Sequence, residues 1–65
     1  MKKIKVKKVG ENIGYYREYF QNVDTKKFYA KMTFGIYEDW FTCSCNGGEP
    51  DMPISRDIIF KEVTS

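Results

Sequence analysis

The sequence predicts a small all-β domain: an antiparallel meander of about five strands, curled into a barrel-like sheet in which the first and last strands approach. It becomes α+β only if residues 13–21 fold as a helix. Three observations carry this reading. Apolar and polar residues alternate with a period of two over several short runs, as in half-buried strands. Glycine, proline and Asx clusters separate those runs at short spacing. Rings make up 17% of the chain, and large rings bury much area each, which lets a short chain fill a core.

At 65 residues, a single domain over residues 1–65 is expected. A domain of this size buries about 60% of the surface its unfolded chain exposes. Its net stability is then only roughly 3–10 kcal/mol. A deep cleft with a rigid supporting shell is hard to build at that size.

The elements follow in order. In residues 2–9, Ile4 and Val6 alternate with Lys3, Lys5 and Lys7. Val9 breaks the phase, which predicts a bend or bulge before Gly10. Residues 10–14 carry turn chemistry. Residues 15–21 read as a Tyr-rich strand, with Tyr16, Glu18 and Phe20 on one face and Tyr15, Arg17 and Tyr19 on the other. After a polar turn at 22–26, residues 27–35 place Phe28, Ala30, Met32 and Phe34 on one face and Tyr29, Lys31 and Thr33 on the other. Residues 36–39 read as a reversal and 40–45 as a fourth strand, with Phe41, Cys43 and Cys45 sharing a face. A turn-rich stretch ending at Ile54 leads to a fifth strand at 57–63. The expected core is Ile4, Val6, Tyr16, Phe20, Phe28, Ala30, Met32, Phe34, Phe41, Cys43, Ile58 and Phe60.

The net charge is only +2, yet it is unevenly placed. Residues 1–31 hold nine basic and three acidic groups, whereas residues 32–65 hold two basic and six acidic ones. Such asymmetry makes a charged face unless a basic strand pairs with an acidic one. The lysines of the first ten residues have no apolar stretch behind them, so neither a signal peptide nor a membrane span is read, and a cytoplasmic protein is expected. The two cysteines are then expected to be free thiols.

The candidate sites are few. Cys43 and Cys45 have the right chemistry for a soft metal, but the chain has no histidine and no third cysteine, so packing is the favoured reading. Without histidine there is no Ser–His or Cys–His catalysis, and no phosphate loop or dinucleotide fingerprint is present. No catalytic residue, metal or cofactor is therefore expected, and the protein reads as a non-enzyme. The stretch Asn46–Ile54, NGGEPDMPI, is a poor calcium loop. It reads mainly as a reversal at Asn46-Gly47, with Pro50 and Pro53 kept out of the hydrogen-bond ladder. It also presents Glu49 and Asp51 on a stiff, exposed loop.

A Tyr-rich strand, then Phe28-Tyr29-Ala30, then Trp40-Phe41-Thr42 and the Gly48-Glu49-Pro50-Asp51-Met52-Pro53-Ile54 loop make up an order that resembles small uncharacterised β-rich proteins encoded on bacterial conjugative elements and phages. The likeness covers residues 15–63, and its specific element is the loop. The resemblance implies an accessory protein of a mobile genetic element that acts by binding, and it implies no catalytic residue.

The functional expectation is a protein-interaction module whose partner docks on Tyr37, Trp40, Glu49 and Asp51. The alternative is single-stranded nucleic-acid binding through Lys3, Lys5, Lys7, Arg17 and Tyr19, which combines charge with stacking rings. A membrane partner is not expected. Exposed strand edges leave the oligomeric state open.

Overall fold

The computed structural model describes residues 2–63. Six strands, β1 (Lys2–Asn12), β2 (Arg17–Asn22), β3 (Phe28–Phe34), β4 (Tyr37–Cys43), β5 (Pro50–Pro53) and β6 (Ile58–Glu62), form one sheet in the order β5-β4-β3-β2-β1-β6. A single 3₁₀ turn, Ile13–Tyr15, joins β1 to β2. The fold is thus all-β, and residues 13–21 do not form an α-helix.

Strands β1 to β5 run as an antiparallel meander, and β6 lies parallel to β1. First and last strands are neighbours, as expected. The sheet is nevertheless mixed and open, because β5 and β6 are its two edges rather than a closing pair. β1 is a relay: Lys2–Val6 pairs with β6, and Val6–Asn12 pairs with β2.

The sheet curls strongly. In a flat sheet β4 and β6 would stand about 19 Å apart, four spacings of ~4.8 Å. Yet the Trp40 and Phe60 rings stack with centroids 4.0 Å apart. The concave side therefore holds a core of Val6, Phe20 and Tyr29, completed by Ile4, Trp40, Ile54 and Phe60. Phe20 lies 4.9 Å from Trp40, and Tyr29 meets Phe60 edge-on at 5.1 Å. Such tilted and edge-on pairs match the ring quadrupoles.

A second, smaller core of Tyr19, Ala30 and Cys43, with Val9 and Phe28, lies on the other side of the sheet. Both faces are covered, which corrects the expected core. Tyr19 and Tyr29 are buried, while Tyr16 is 70% and Phe34 53% exposed. Register explains the difference. Tyr29 pairs with Phe20 and Lys31 with Glu18, whereas Tyr19 pairs with Ala30. Tyr19 and Tyr29 thereby lie on opposite sides of the sheet.

The predicted break at Val9 is present as a register shift between Lys8 and Gly10, and it turns Val9 towards the second core. Two boundaries move. The β3–β4 reversal is the two-residue loop Gly35-Ile36, with Phe34 opposite Tyr37, rather than residues 36–39. Positive φ at Gly35 (+62°) but not at Ile36 is the pattern of a type II′ turn, whose twist suits a hairpin. Strand β5 is the second correction: Pro50 and Pro53 lie within the sheet, not outside it. They are tolerated because β5 is an edge, where a missing N–H costs little. The Thr42 hydroxyl patches the irregular ladder, accepting from Met52 N at 3.0 Å.

The β2–β3 turn is fixed by Asn22, the one buried polar residue of the described chain. Its Oδ1 accepts from Asp24 N at 2.8 Å and Thr25 N at 3.1 Å, and its Nδ2 donates to the Tyr29 hydroxyl at 3.4 Å. Asn22→Ala would strand these groups. It is expected to lower unfolding stability by about 1–3 kcal/mol, seen as a lower urea midpoint with an unchanged m value.

Candidate functional site

The stretch 44–49 is a strap rather than a bare reversal. It leaves β4 after Cys43, crosses the second core and returns to pair Pro50 with Cys43. Cys45 O accepts from Gly48 N at 3.1 Å across Asn46-Gly47. Only Gly47 has positive φ (+86°), so the turn is of type II, not the hairpin type in which both central residues do.

Three contacts pin the strap to other strands. Asn46 Nδ2 donates to Val9 O at 3.2 Å, at the bulge in β1. The Tyr19 hydroxyl donates to Gly48 O at 3.1 Å. Arg17 meets Glu49 at 3.4 Å. Gly10 matters to the first, since a Cβ there would stand 2.7 Å from Asn46 Oδ1.

The expected nucleic-acid residues are therefore not brought together. Tyr19 is 2% exposed and its hydroxyl is engaged, so its ring is no stacking platform. Arg17 is paired with Glu49 and lies over the Tyr15 ring at 4.9 Å. Lys3, Lys5 and Lys7 stand exposed on the first part of β1, and none has a carboxylate within 4.0 Å among the described residues. Strand β6 does not neutralise them, because Lys5 lies opposite Lys61.

The expected docking residues are also separated. Trp40 is half-buried in the concave core, stacked on Phe60. Glu49 and Asp51 are exposed on the strap and on β5. Tyr37 is 63% exposed and opens a different surface.

That surface was not anticipated. Six of the eight large apolar side chains exposed among the described residues come from two places, the 13–16 turn (Ile13, Tyr15, Tyr16) and the β3–β4 hairpin (Phe34, Ile36, Tyr37). Thr33 N donates to Tyr16 O at 3.2 Å, which joins the two segments. A shallow depression of about 300 Å³ lies between Ile13, Tyr16 and Thr33. A groove of similar size runs from Ile36 and Tyr37 to Ile58 and Phe60. Tyr16 itself sits in the left-handed region (φ 55°, ψ 40°), which costs a bulky residue about 1–2 kcal/mol. The sequence signal was present in Ile13, Tyr16, Phe34 and Ile36, four apolar residues in turns or at strand ends, where polar residues are usual.

Beside this patch the charges pair with one another. Glu18 bridges Lys8 at 3.1 Å and Lys31 at 3.4 Å, Lys31 approaches Glu38 at 3.9 Å, and Arg56 meets Asp39 at 3.1 Å. Partial burial pushes the Glu18 carboxyl up, but the hydrogen bond from Lys8 and the charge of Lys31 outweigh it and hold the group below its ordinary value. Lys8 is raised in turn, chiefly by its hydrogen bond to Glu18. Among the described residues, no group of three or more Cys, Asp or Glu side chains is placed to hold a metal ion. No helix there is long and apolar enough to cross a membrane.

No family model, curated protein or solved structure matches the chain.

Two outcomes follow. A carboxyl depressed in the folded state stabilises the fold above its ordinary value of 4.5 and loses that contribution as pH falls through the folded value. Glu18→Gln is expected to lower stability near neutral pH by roughly 0.2–1 kcal/mol per exposed pair lost. The gap from wild type should shrink to nothing in acid, as read by urea unfolding across the pH range. Gly10→Ala should push Asn46 aside and cost about 0.5–1.5 kcal/mol for the lost hydrogen bond. Combined with Asn46→Ala it should add almost nothing, because both act on one contact.

Proposed function

We propose that this protein is a non-enzymatic interaction module, and that its docking surface is the apolar end formed by the 13–16 turn and the β3–β4 hairpin. One observation carries the reading: six large apolar side chains, including Ile36 at 90% exposure and Ile13 at 77%, are gathered at adjoining turns. Large apolar side chains exposed at neighbouring turns in this way mark places where proteins meet proteins. The occupant is a protein partner presenting an apolar face, because the nearby carboxylates and cations are spent on one another and offer no unpaired charge to a polyanion. Tyr37 belongs to this surface, while Glu49 and Asp51 provide a separate acidic rim. An accessory role in a mobile genetic element is the setting that the loop's resemblance implies.

The lysines of β1 favour a second reading, nucleic-acid binding, since Lys3, Lys5, Lys7 and Lys61 are exposed and have no carboxylate partner among the described residues. Its weakness is the lack of stacking rings beside them. Tyr19 and Tyr29 are buried, and Tyr15 lies beyond the far end of β1.

The test compares capture from host extract by wild type, by a Tyr16→Gly/Ile36→Ser variant and by a Lys3→Ser/Lys5→Ser/Lys7→Ser variant. A partner protein held by wild type and the lysine variant, and lost with the apolar-end variant, is the expected result. Nuclease-sensitive capture lost only in the lysine variant would replace the reading with the second one. Tyr16→Gly alone separates fold from function. Glycine relieves the left-handed strain but loosens the unfolded chain by about 0.5–1 kcal/mol, so stability should stay within about 1 kcal/mol of wild type while partner binding falls.

A further inference from the structure

Cys43 and Cys45 are expected from the sequence to be same-face strand residues, free thiols held by packing. The structure changes their relation. Strand β4 ends at Cys43 and the chain bends at Ser44-Cys45, so Cys45 no longer follows the strand. Cys43 is buried and Cys45 exposed, and both are free thiols. The Cys43 thiol already points back at residue 45, donating to its carbonyl at 2.9 Å. Both sulfurs lie against Gly48. A Cβ on residue 48 would stand 3.0 Å from Cys45 Sγ and 3.4 Å from Cys43 Sγ, so any larger residue would crowd both sulfurs.

We propose that Cys43 and Cys45 form a reversible thiol–disulfide exchange site at the base of the strap, with Cys45 as the attacking thiol and Cys43 as the resolving one. The co-reactant is a low-molecular-weight disulfide, for which oxidised glutathione serves as the probe. The Cys45 thiolate attacks one sulfur of the reagent. The reagent's S–S bond breaks, its other sulfur leaves as a thiolate and takes a proton, and Cys45 carries a mixed disulfide. Cys43 then gives its proton to solvent and attacks Cys45 Sγ, expelling the second thiol. Two protein thiols are oxidised to one disulfide, and the reagent is reduced by two electrons to two thiols. Exposure assigns the order, since an accessible thiol poised beside a second cysteine is the arrangement of redox-responsive sites.

The step has a structural consequence. Cys43 must release Cys45 O to close the ring, and Gly48, against which both sulfurs lie, is the residue whose carbonyl holds the Tyr19 hydroxyl. The oxidation state is thus transmitted to the strap and to the cover of the second core. This is independent of the apolar end.

The reduced, full-length protein is exposed to oxidised glutathione and followed by intact mass and peptide mapping. Wild type is expected to lose the mass of two hydrogens, to keep no adduct, to map as a Cys43–Cys45 link, and to return to the dithiol with excess thiol. Amide shifts should move at Gly48 and Tyr19. Cys43→Ser should stop with one glutathione on Cys45, and Cys45→Ser should stay unmodified over the same time. Gly48→Ala should slow the loss of the adduct without slowing its formation. A wild-type protein that keeps glutathione, forms linked dimers or does not react overturns the proposal, and that arm needs no substitution to fold.

Discussion

Strand β6 must reach the far edge of the sheet from β5 through four residues, Ile54–Asp57. Across a flat six-stranded sheet that journey is five spacings, or about 24 Å. The five steps from Pro53 to Ile58 reach at most ~18 Å. The chain can close the connection only if the sheet curls, and the stacked contact of Trp40 on β4 with Phe60 on β6 is where the curled sheet meets itself. Strand β6 then pairs with β1 in parallel, which makes the sheet mixed. Ile54 serves the link twice, donating to Trp40 O at 2.9 Å and packing into the concave core as it crosses.

Curling solves one problem and creates another. It buries the concave side against itself, but it leaves the convex side with Val9, Tyr19, Phe28, Ala30 and Cys43 and nothing opposite. The 44–49 strap is the answer, and the devices that hold it are spread along the chain. The bulge at Val9 turns a carbonyl outward for Asn46, and Gly10 leaves space for that side chain. Tyr19 turns its hydroxyl to Gly48, and Gly48 in turn makes room for two sulfurs. A polar strap over a small apolar patch excludes water with few side chains, which suits a chain too short to build a second layer.

Much of the fold was legible locally. The alternation of Ile4 and Val6 with the lysines, and its break at Val9, marked β1 and its bulge, because both depend only on neighbours in sequence. Register was not legible. Whether Tyr29 faces Phe20 or lies beside Tyr19 is set by the hydrogen-bonded turn around Asn22, whose side-chain partners are invisible in the sequence. The candidate surface suffered from the same gap. Trp40 and Tyr37 look equivalent in sequence, yet one stacks in the core and the other stands in solvent, since the difference depends on where β6 arrives. The strap was read as a reversal because its partners on β1 and β2 are 29 to 37 residues away.

The apolar end resists explanation as surplus surface. A marginal domain gains by burying rings or by replacing them with polar residues, and turns are where such replacement is easiest. Here the turns instead carry Ile13, Tyr16 and Ile36, and Tyr16 keeps a left-handed backbone that glycine would adopt without strain. Local rules are broken together at adjoining sites, where these apolar side chains stay exposed. Departures of that kind concentrate where a protein's stability has been traded for contact with something else. The charges nearby point the same way. Glu18, Lys8, Lys31 and Glu38 neutralise each other in place, so under the proposed reading apolar contact, rather than charge, is what this end of the sheet would offer a partner.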